Sequence, residues 1–383
     1  MKKSNVTFIA AALIAIHVLI FLVVIGTKED KKLAQTQPPR AKPTPTTTST
    51  TPQPVPQLAT PEISIPEAPP IAPMPEPEPV VMPVEVVEMK PAAPTETIAS
   101  TRNIAGYLRS DRPNKRTKQV FPELKNDPYQ SAIVVDARTG KILYENRSAV
   151  YSYPASVTTM MTMLLTLEQI DAGIISLNDR VKITPEIAGI GGSGVYLDVR
   201  ESGAYTVDQM LQCLMIHSAN DAAAALAIHV GGTTQGFVDM MNQKARELGM
   251  NATKYHTPHG LPPSGGKQPD ISNAYDIAIL SLAALRHPQT LKYTSTKLAW
   301  LPTNSLRKEK FMLANRNQLV GKKPYSGCDG LKTGYHSKGG FSLAATAKQG
   351  NDRVIAVILG CENRNTRDTE IRKLLDKGFA TLK

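Results

Sequence analysis

From residue 119 to its end at 383 the sequence predicts an α+β fold, an antiparallel β-sheet flanked by helices. Three observations predict it. β-rich runs lie at both ends of this segment, the stretch from 154 to 295 carries apolar stripes at helical spacing, and an amphipathic helix closes the chain.

In chain order, "SAIVVDARTGKILYENR" reads as a hairpin, two β-rich runs around the turn residues Thr139 and Gly140. The clearest helical stripes follow in "MMTMLLTLEQI", "VDQMLQCLMI" and "YDIAILSLAAL". Then come three β runs with tight connections, "GLKTGYHS", "GFSLAATAK" and "RVIAVILGC", and the last helix, "RDTEIRKLLDKGFATL". No internal repeat is visible.

The first 118 residues have a different character. "VTFIAAALIAIHVLIFLVVIG", residues 6–26 behind Lys2 and Lys3, is long enough to cross a hydrocarbon core of about 30 Å. It exceeds a signal-peptide apolar region and lacks a small-residue cleavage site, so residues 1–27 are read as an uncleaved signal anchor. Lys28, Lys31 and Lys32 compete with Lys2 and Lys3 for the inside position, so orientation has to come from the chemistry of the rest. Residues 28–118 are a Pro-rich linker, as in "QPPRAKPTPTTTSTTPQPVPQ". At about 3.1 Å per residue such a chain reaches on the order of 200 Å, which favours a semi-rigid spacer over a set of docking motifs.

The net charge of +11 suits nucleic acid, anionic membranes or acidic wall polymers. Scattered lysines and arginines, no long basic block and 5% aromatics argue against nucleic acid. Cys213, Cys328 and Cys361 form no C-x-x-C pair, which excludes zinc-knuckle and thioredoxin-type motifs, and Cys213 reads as a buried apolar residue. "YHTPH", with His256 and His259, lacks a carboxylate at helical spacing, so no metal or other cofactor is expected.

Three motifs carry chemistry. In "YPASVTTMM", Ser156 follows Pro154 and opens an apolar helix, as an N-cap or as a nucleophile presented at a helix start. "HSANDAAAALAIHV" places Ser218 and Asn220 in a turn before a second helix. "DGLKTGYHSKGGFSL" puts Lys332, Thr333 and Gly334 on a short β run, a cation, a hydroxyl and a bare backbone suited to a carboxylate.

In this order the motifs resemble the penicillin-binding, active-site-serine family, with S-x-x-K, S-x-N and K-T-G. More narrowly, residues 125 to 380 resemble the low-molecular-mass D-alanyl-D-alanine carboxypeptidases, through "GVYLDVRESGAYTVDQMLQCLMIHSANDAA", "HGLPP", "ANRNQLV" and "GCDGLKTGY". The resemblance implies a β-lactamase/transpeptidase-like domain over 119–383, with a helical lobe and a nucleophile between lobe and sheet. It implies Ser156 as the acylated nucleophile, and Ser218 and Asn220 as proton relay and amide holder. Lys332 and Thr333 would hold the substrate carboxylate, and Gly334 would let the substrate backbone lie close. The backbone N–H groups of Ser156 and His336 would form the oxyanion hole. The implied partners are peptidoglycan stem peptides ending in D-Ala-D-Ala, and β-lactams. The implied location is a single-pass membrane protein anchored through residues 6–26, its domain on the extracytoplasmic side.

One position departs from the pattern. Three residues after Ser156 the family carries lysine, one helical turn away on the same face, and this chain carries Thr159, which has no basic nitrogen. The literal matches "SGGK" (Ser264–Lys267) and "SLRK" (Ser305–Lys308) open no apolar helix and are rejected. Lys332 is expected to be charged and engaged with carboxylate, and His217 to be packed, so neither reads as the missing base. "ELGMN", Glu247–Asn251, reads as a helix end rather than a deacylating glutamate. Three functions fit: a carboxypeptidase with impaired turnover, a non-catalytic stem-peptide binding module, and an envelope tether whose spacer carries the role. Deleting residues 40–95 would harm the tether more than replacing Ser156 with alanine.

Overall fold

The structure is a computed structural model that describes residues 128–262 and 268–383. The expected membrane span, the Pro-rich linker and the Ser264–Lys267 match lie outside the described residues. Among the described residues no helix is long and apolar enough to cross a membrane.

The expected antiparallel sheet has five strands: β1 (Ser131–Asp136), β2 (Ile142–Asn146), β5 (Cys328–His336), β6 (Gly340–Gln349) and β7 (Asp352–Cys361), in the order β2-β1-β7-β6-β5. Its central strands read as unbroken apolar runs because both faces are covered. In β1, Ile133 and Val135 enter one core while Ala132 and Val134 enter the other. In β7, Ile355, Val357 and Leu359 face the first core, and Val354, Ala356 and Ile358 the second. Period-two alternation therefore splits each strand between two apolar layers.

The second layer is closed by the C-terminal helix Arg364–Leu382, which presents Ile371, Leu374, Leu375 and Phe379 at i, i+3, i+4 and i+8. It approaches so closely that a Cβ on Gly378 would lie 2.7 Å from Val354 and 2.8 Å from Val134. Its start is fixed by Asn363, whose side chain accepts from the Thr366 N–H at 2.9 Å.

The first layer is the helical lobe: α1 (Thr159–Asp171), α2 (Val207–Gln212), α3 (Asn220–Gly231), α4 (Thr234–Glu247) and α5 (Ala274–Arg286), with the C-terminal helix as α6. The residues of α1 from Thr159 to Leu167 are all buried, so this helix runs through the core rather than along its surface. Its buried threonines are satisfied locally: Thr162 donates to Pro258 O at 2.6 Å and Thr166 to Thr162 O at 2.8 Å.

A second, two-stranded sheet was not anticipated. β3 (Leu298–Leu301) pairs with β4 (Phe311–Ala314), Trp300 opposite Met312. β5 lies at the edge of the main sheet and lays the K-T-G motif beside the start of α1.

Candidate active site

Ser156 lies in a single 3-10 turn, Ala155–Thr158, that leads into α1. The N-cap positions fall on Pro154 and Thr158, so the N-cap alternative for Ser156 does not hold. Ala155 just before it has φ +49°, a left-handed conformation costly for a residue with a Cβ. The surroundings hold it there. Gly260 lies so near that a Cβ on it would be 1.9 Å from Ala155 O, and one on Gly334 would be 2.5 Å from Pro154 O. The turn is also tied from beneath: Thr158 Oγ1 donates to Asp270 Oδ2 at 2.9 Å. Burial pushes the Asp270 carboxyl up to about 6, against hydrogen bonds from His256 N, Thr158 Oγ1 and the N–H and hydroxyl of Thr257.

Thr159 is fully buried, and its hydroxyl donates to Ser156 O at 2.8 Å. The side chain three residues after Ser156 thus serves the backbone of the turn. A Cβ on Gly334 would meet Pro154 O and Val157, so its bare backbone lets the turn that carries Ser156 pack against β5.

The S-x-N turn follows a π-helical turn, Cys213–His217, which ends in a left-handed Ser218 at φ +65°. Such turns re-aim side chains, and here Ser218 Oγ meets the sheet. Asn220, at the start of α3, is held by Ser193 O on its N–H at 2.7 Å and by Gly191 O on its amide at 2.9 Å. Asp221 accepts the N–H groups of Val195 and Leu197, which binds this loop to α3.

Lys332 on β5 is 1% exposed. Its ammonium donates to Ser218 Oγ at 2.7 Å and to Thr333 O at 3.0 Å. Among the described residues no carboxylate pairs with it. Burial, reinforced by the positive charges of Arg316 and Arg367, lowers its pKa to about 7. Burial thus holds the ammonium expected from the sequence less firmly than that of an exposed lysine.

Ser156, Ser218, Asn220, Thr333 and Gly334 line one cavity of about 820 Å³. The rest of its wall mixes neutral residues with five cations, Lys297, Arg316, Lys322, Arg364 and Arg367, and among the described residues no aspartate or glutamate lines it. Arg367 is itself bound to Asp368 at 2.6 Å, while Arg316 donates from Nε to His217 O at 3.1 Å. A low-dielectric cavity with a positive wall suits an anionic ligand.

A family model described as D-alanyl-D-alanine carboxypeptidase (peptidase S11) matches residues 119–363. The chain belongs to that family. The carboxypeptidase DacF of Bacillus subtilis is 39% identical over 266 residues, 70% of this chain and 64% of that protein. DacD of Escherichia coli is 34% identical, covering 65% of this chain and 62% of the relative. The match thus spans a little under two thirds of the length of these two relatives. Among solved structures, the carboxypeptidase DacD of Francisella tularensis is similar with a TM-score of 0.60 and 29% identity, over 70% of this chain and 74% of that one. Penicillin-binding protein D2 of Listeria monocytogenes in its ampicillin-bound form is similar with a TM-score of 0.57 and 28% identity, over 67% of this chain and 99% of that one. The α+β, transpeptidase-like fold of the carboxypeptidase family is the fold of this domain.

The other residues singled out in the sequence lie away from the cavity lining. His336 stacks on Tyr153 at 4.4 Å, and its Nδ1 accepts the N–H groups of Lys338 and Gly339, which fastens the β5–β6 turn. His217 is packed, as expected, edge-on to Phe311, with Nε2 3.0 Å from Arg316 Nη2. Burial and the charges of Arg316 and Lys332 lower it to about 4. His259 Nδ1 accepts the Leu261 N–H at 3.1 Å, and the described residues contain no group of potential metal ligands. Glu247 ends α4 and pairs with Lys244 at 3.2 Å. Ser305 and Lys308 sit in the β3–β4 connection, the lysine on the serine carbonyl. Sequence reasoning missed the basic wall and Asp270. Only Arg316, within the quoted "ANRNQLV", lay in a stretch already connected with the family.

Proposed function

We propose that this protein is a serine-type D-Ala-D-Ala carboxypeptidase of peptidoglycan metabolism, slowed by Thr159 at the position where the family carries its base. One observation carries the reading: Ser156, Ser218 and Thr333 share a basic cavity, and Lys332 is bonded to Ser218 behind it. In the reaction, Ser156 Oγ bonds to the carbonyl carbon of the penultimate D-alanine. The peptide C–N bond breaks, the leaving amine takes a proton, and water later hydrolyses the acyl-serine ester. Thr333, with the charge of the surrounding arginines, receives the terminal carboxylate. Asn220 orients the substrate amide, and the backbone N–H groups of Ser156 and His336 receive the oxyanion. β-Lactams acylate the same serine as carboxylate-bearing mimics of the substrate. Residues 6–26 anchor the chain in the cell membrane, with the domain on the extracytoplasmic side.

A second reading, stem-peptide binding without turnover, is favoured by the Thr159 hydroxyl, which is committed to Ser156 O. Release of D-alanine from a D-Ala-D-Ala-terminated peptide by the full-length protein separates the two. The carboxypeptidase reading expects slow release, abolished in Ser156→Ala and raised about 10²–10⁴-fold in Thr159→Lys, the usual contribution of a general base. Release by Thr159→Lys alone would establish the binding module. No release by either would refute the carboxypeptidase reading.

A further inference from the structure

We infer that Lys332, acting through the hydroxyl of Ser218, accepts the proton of Ser156 in this chain. The inference rests on the proposed acyl-serine chemistry and names the base that it lacks.

The geometry favours this group: Lys297 and Lys322 also line the cavity, but it is Lys332 that is bonded to Ser218. Thr159 is buried, non-basic and bonded to a carbonyl. Among the described residues no carboxylate lines the cavity. His217 turns its Nε2 to Arg316, His259 uses Nδ1 on the Leu261 N–H, and His336 uses Nδ1 on its own turn. Lys332 is the basic nitrogen bonded to a side chain of the cavity wall, at 2.7 Å from Ser218 Oγ. That wall also contains Ser156. Ser218 thus lines the cavity while its hydroxyl is bonded to Lys332 on β5.

The surroundings of Lys332 decide its protonation. The charged groups acting on it are Arg316, in the loop after β4, and Arg367 on α6, both disfavouring a third cation. His217, at the end of the π turn, feels the same field in return. Among the described residues no carboxylate is bonded to Lys332, and the nearest α6 carboxylate named with these groups, Asp368, is taken by Arg367 at 2.6 Å. The 3-10 turn Ala155–Thr158 contains no titratable residue, and β6 places Ala344 opposite Lys332. In the short helix Thr290–Thr294, Lys292 and Tyr293 are both bonded to Asp208, and Glu168 of α1 is paired with Lys244. A lysine desolvated beside Arg316 and the Asp368-paired Arg367, with no carboxylate bonded to it among the described residues, sheds its proton more readily than a free lysine, and a neutral amine is a base.

The step balances without another reactant. Ser156 Oγ–H passes its proton to Ser218 Oγ, which passes its own to the neutral Lys332 amine, while Ser156 Oγ bonds to the carbonyl carbon. When the C–N bond breaks, the Lys332 ammonium returns a proton along the same path to the leaving nitrogen.

The test is the rate of penicillin acylation of the full-length protein between pH 5 and about 9, with the adduct mapped by mass. Four proteins are compared: wild type, Lys332→Arg, Thr159→Lys and the double variant Thr159→Lys/Lys332→Arg. Arginine keeps the positive charge for a carboxylate but holds its proton throughout this range. The expected result is a wild-type rate that rises with pH to a break near 7, and a Lys332→Arg rate about 10²–10⁴-fold lower without that break. The double variant should regain acylation, showing that arginine leaves the cleft intact. Equal rates and profiles in wild type and Lys332→Arg would overturn the inference while leaving the acyl-serine reading in place. So would labelling of Thr159→Lys without any of wild type. Absence of label from all four would instead overturn the acyl-serine reading, and the inference with it.

Discussion

Replacing Asp270 with alanine is expected to destabilise the domain by about 3–5 kcal/mol, whereas asparagine at the same place should cost about 1 kcal/mol. Asp270 is 3% exposed and accepts four hydrogen bonds. Oδ1 takes the backbone N–H groups of His256 at 2.7 Å and Thr257 at 3.0 Å. Oδ2 takes the hydroxyls of Thr158 and Thr257, at 2.9 and 3.2 Å. Alanine strands two buried N–H donors, each worth about 1–3 kcal/mol when unpaired, and leaves a small void. The Thr257 hydroxyl keeps one partner, because it accepts the Gly260 N–H at 2.8 Å. Asparagine retains the Oδ1 acceptor, and both hydroxyls can turn to accept from its amide. Urea unfolding followed by circular dichroism gives the two differences directly. Because Thr158 belongs to the turn that carries Ser156, acylation of Ser156 should fall with alanine more than with asparagine. Equal losses for the two variants, or less than about 1 kcal/mol for alanine, would refute the argument that backbone donors dominate at this site.

Three further outcomes follow from the same structure. Gly260→Ala should abolish acylation of Ser156 while the sheet survives, because Gly260 has φ +78° and a Cβ there would fall 1.9 Å from Ala155 O. Retained acylation would show that the turn can shift. Arg307→Ala should cost about 3–5 kcal/mol in urea unfolding, since it leaves the buried Glu201 carboxylate without its cation, at 3.2 Å in the ion pair. Glu201 also sets a pH dependence. Burial pushes its carboxyl up, but hydrogen bonds from Asn304, Tyr205 and Arg307 outweigh this and hold it below its ordinary 4.5. A lowered folded pKa gives stability that is complete above the unfolded value and is lost as pH falls through the folded one. The stability difference between wild type and Glu201→Gln should therefore be constant above about pH 5 and shrink below about pH 4, as unfolding at several pH values would show.

Much of the fold was legible because strands and helices here obey their periods. Alternation in β1 and β7 is hidden by burial on both faces, yet their length and β-branched content still mark them as strands. The β3–β4 hairpin escaped for two reasons. "LAWL" and "FMLA" are apolar on exposed as well as buried faces, and residues 302–310 between them are too long a connection for a tight turn. Of the site, the three motifs were visible because each is local. What joins them is not. Thr158 meets Asp270 across 112 residues, and Lys332 meets Ser218 across 114. The basic wall draws on residues from 297 to 367 that look scattered along the chain. Gly334 shows the same limit: its lack of a side chain is written in the sequence, but the neighbour that needs the space, Pro154 O, is set by the sheet edge.

The central claim is that this cleft forms an acyl-enzyme at Ser156 without a lysine at position 159. The most direct measurement is the intact mass of the full-length protein after incubation with a penicillin, followed by peptide mapping. The account predicts one adduct on the wild-type chain, located on Ser156 and absent from Ser156→Ala. A wild-type chain that gains no adduct, beside a Thr159→Lys variant that gains one on Ser156, would contradict it.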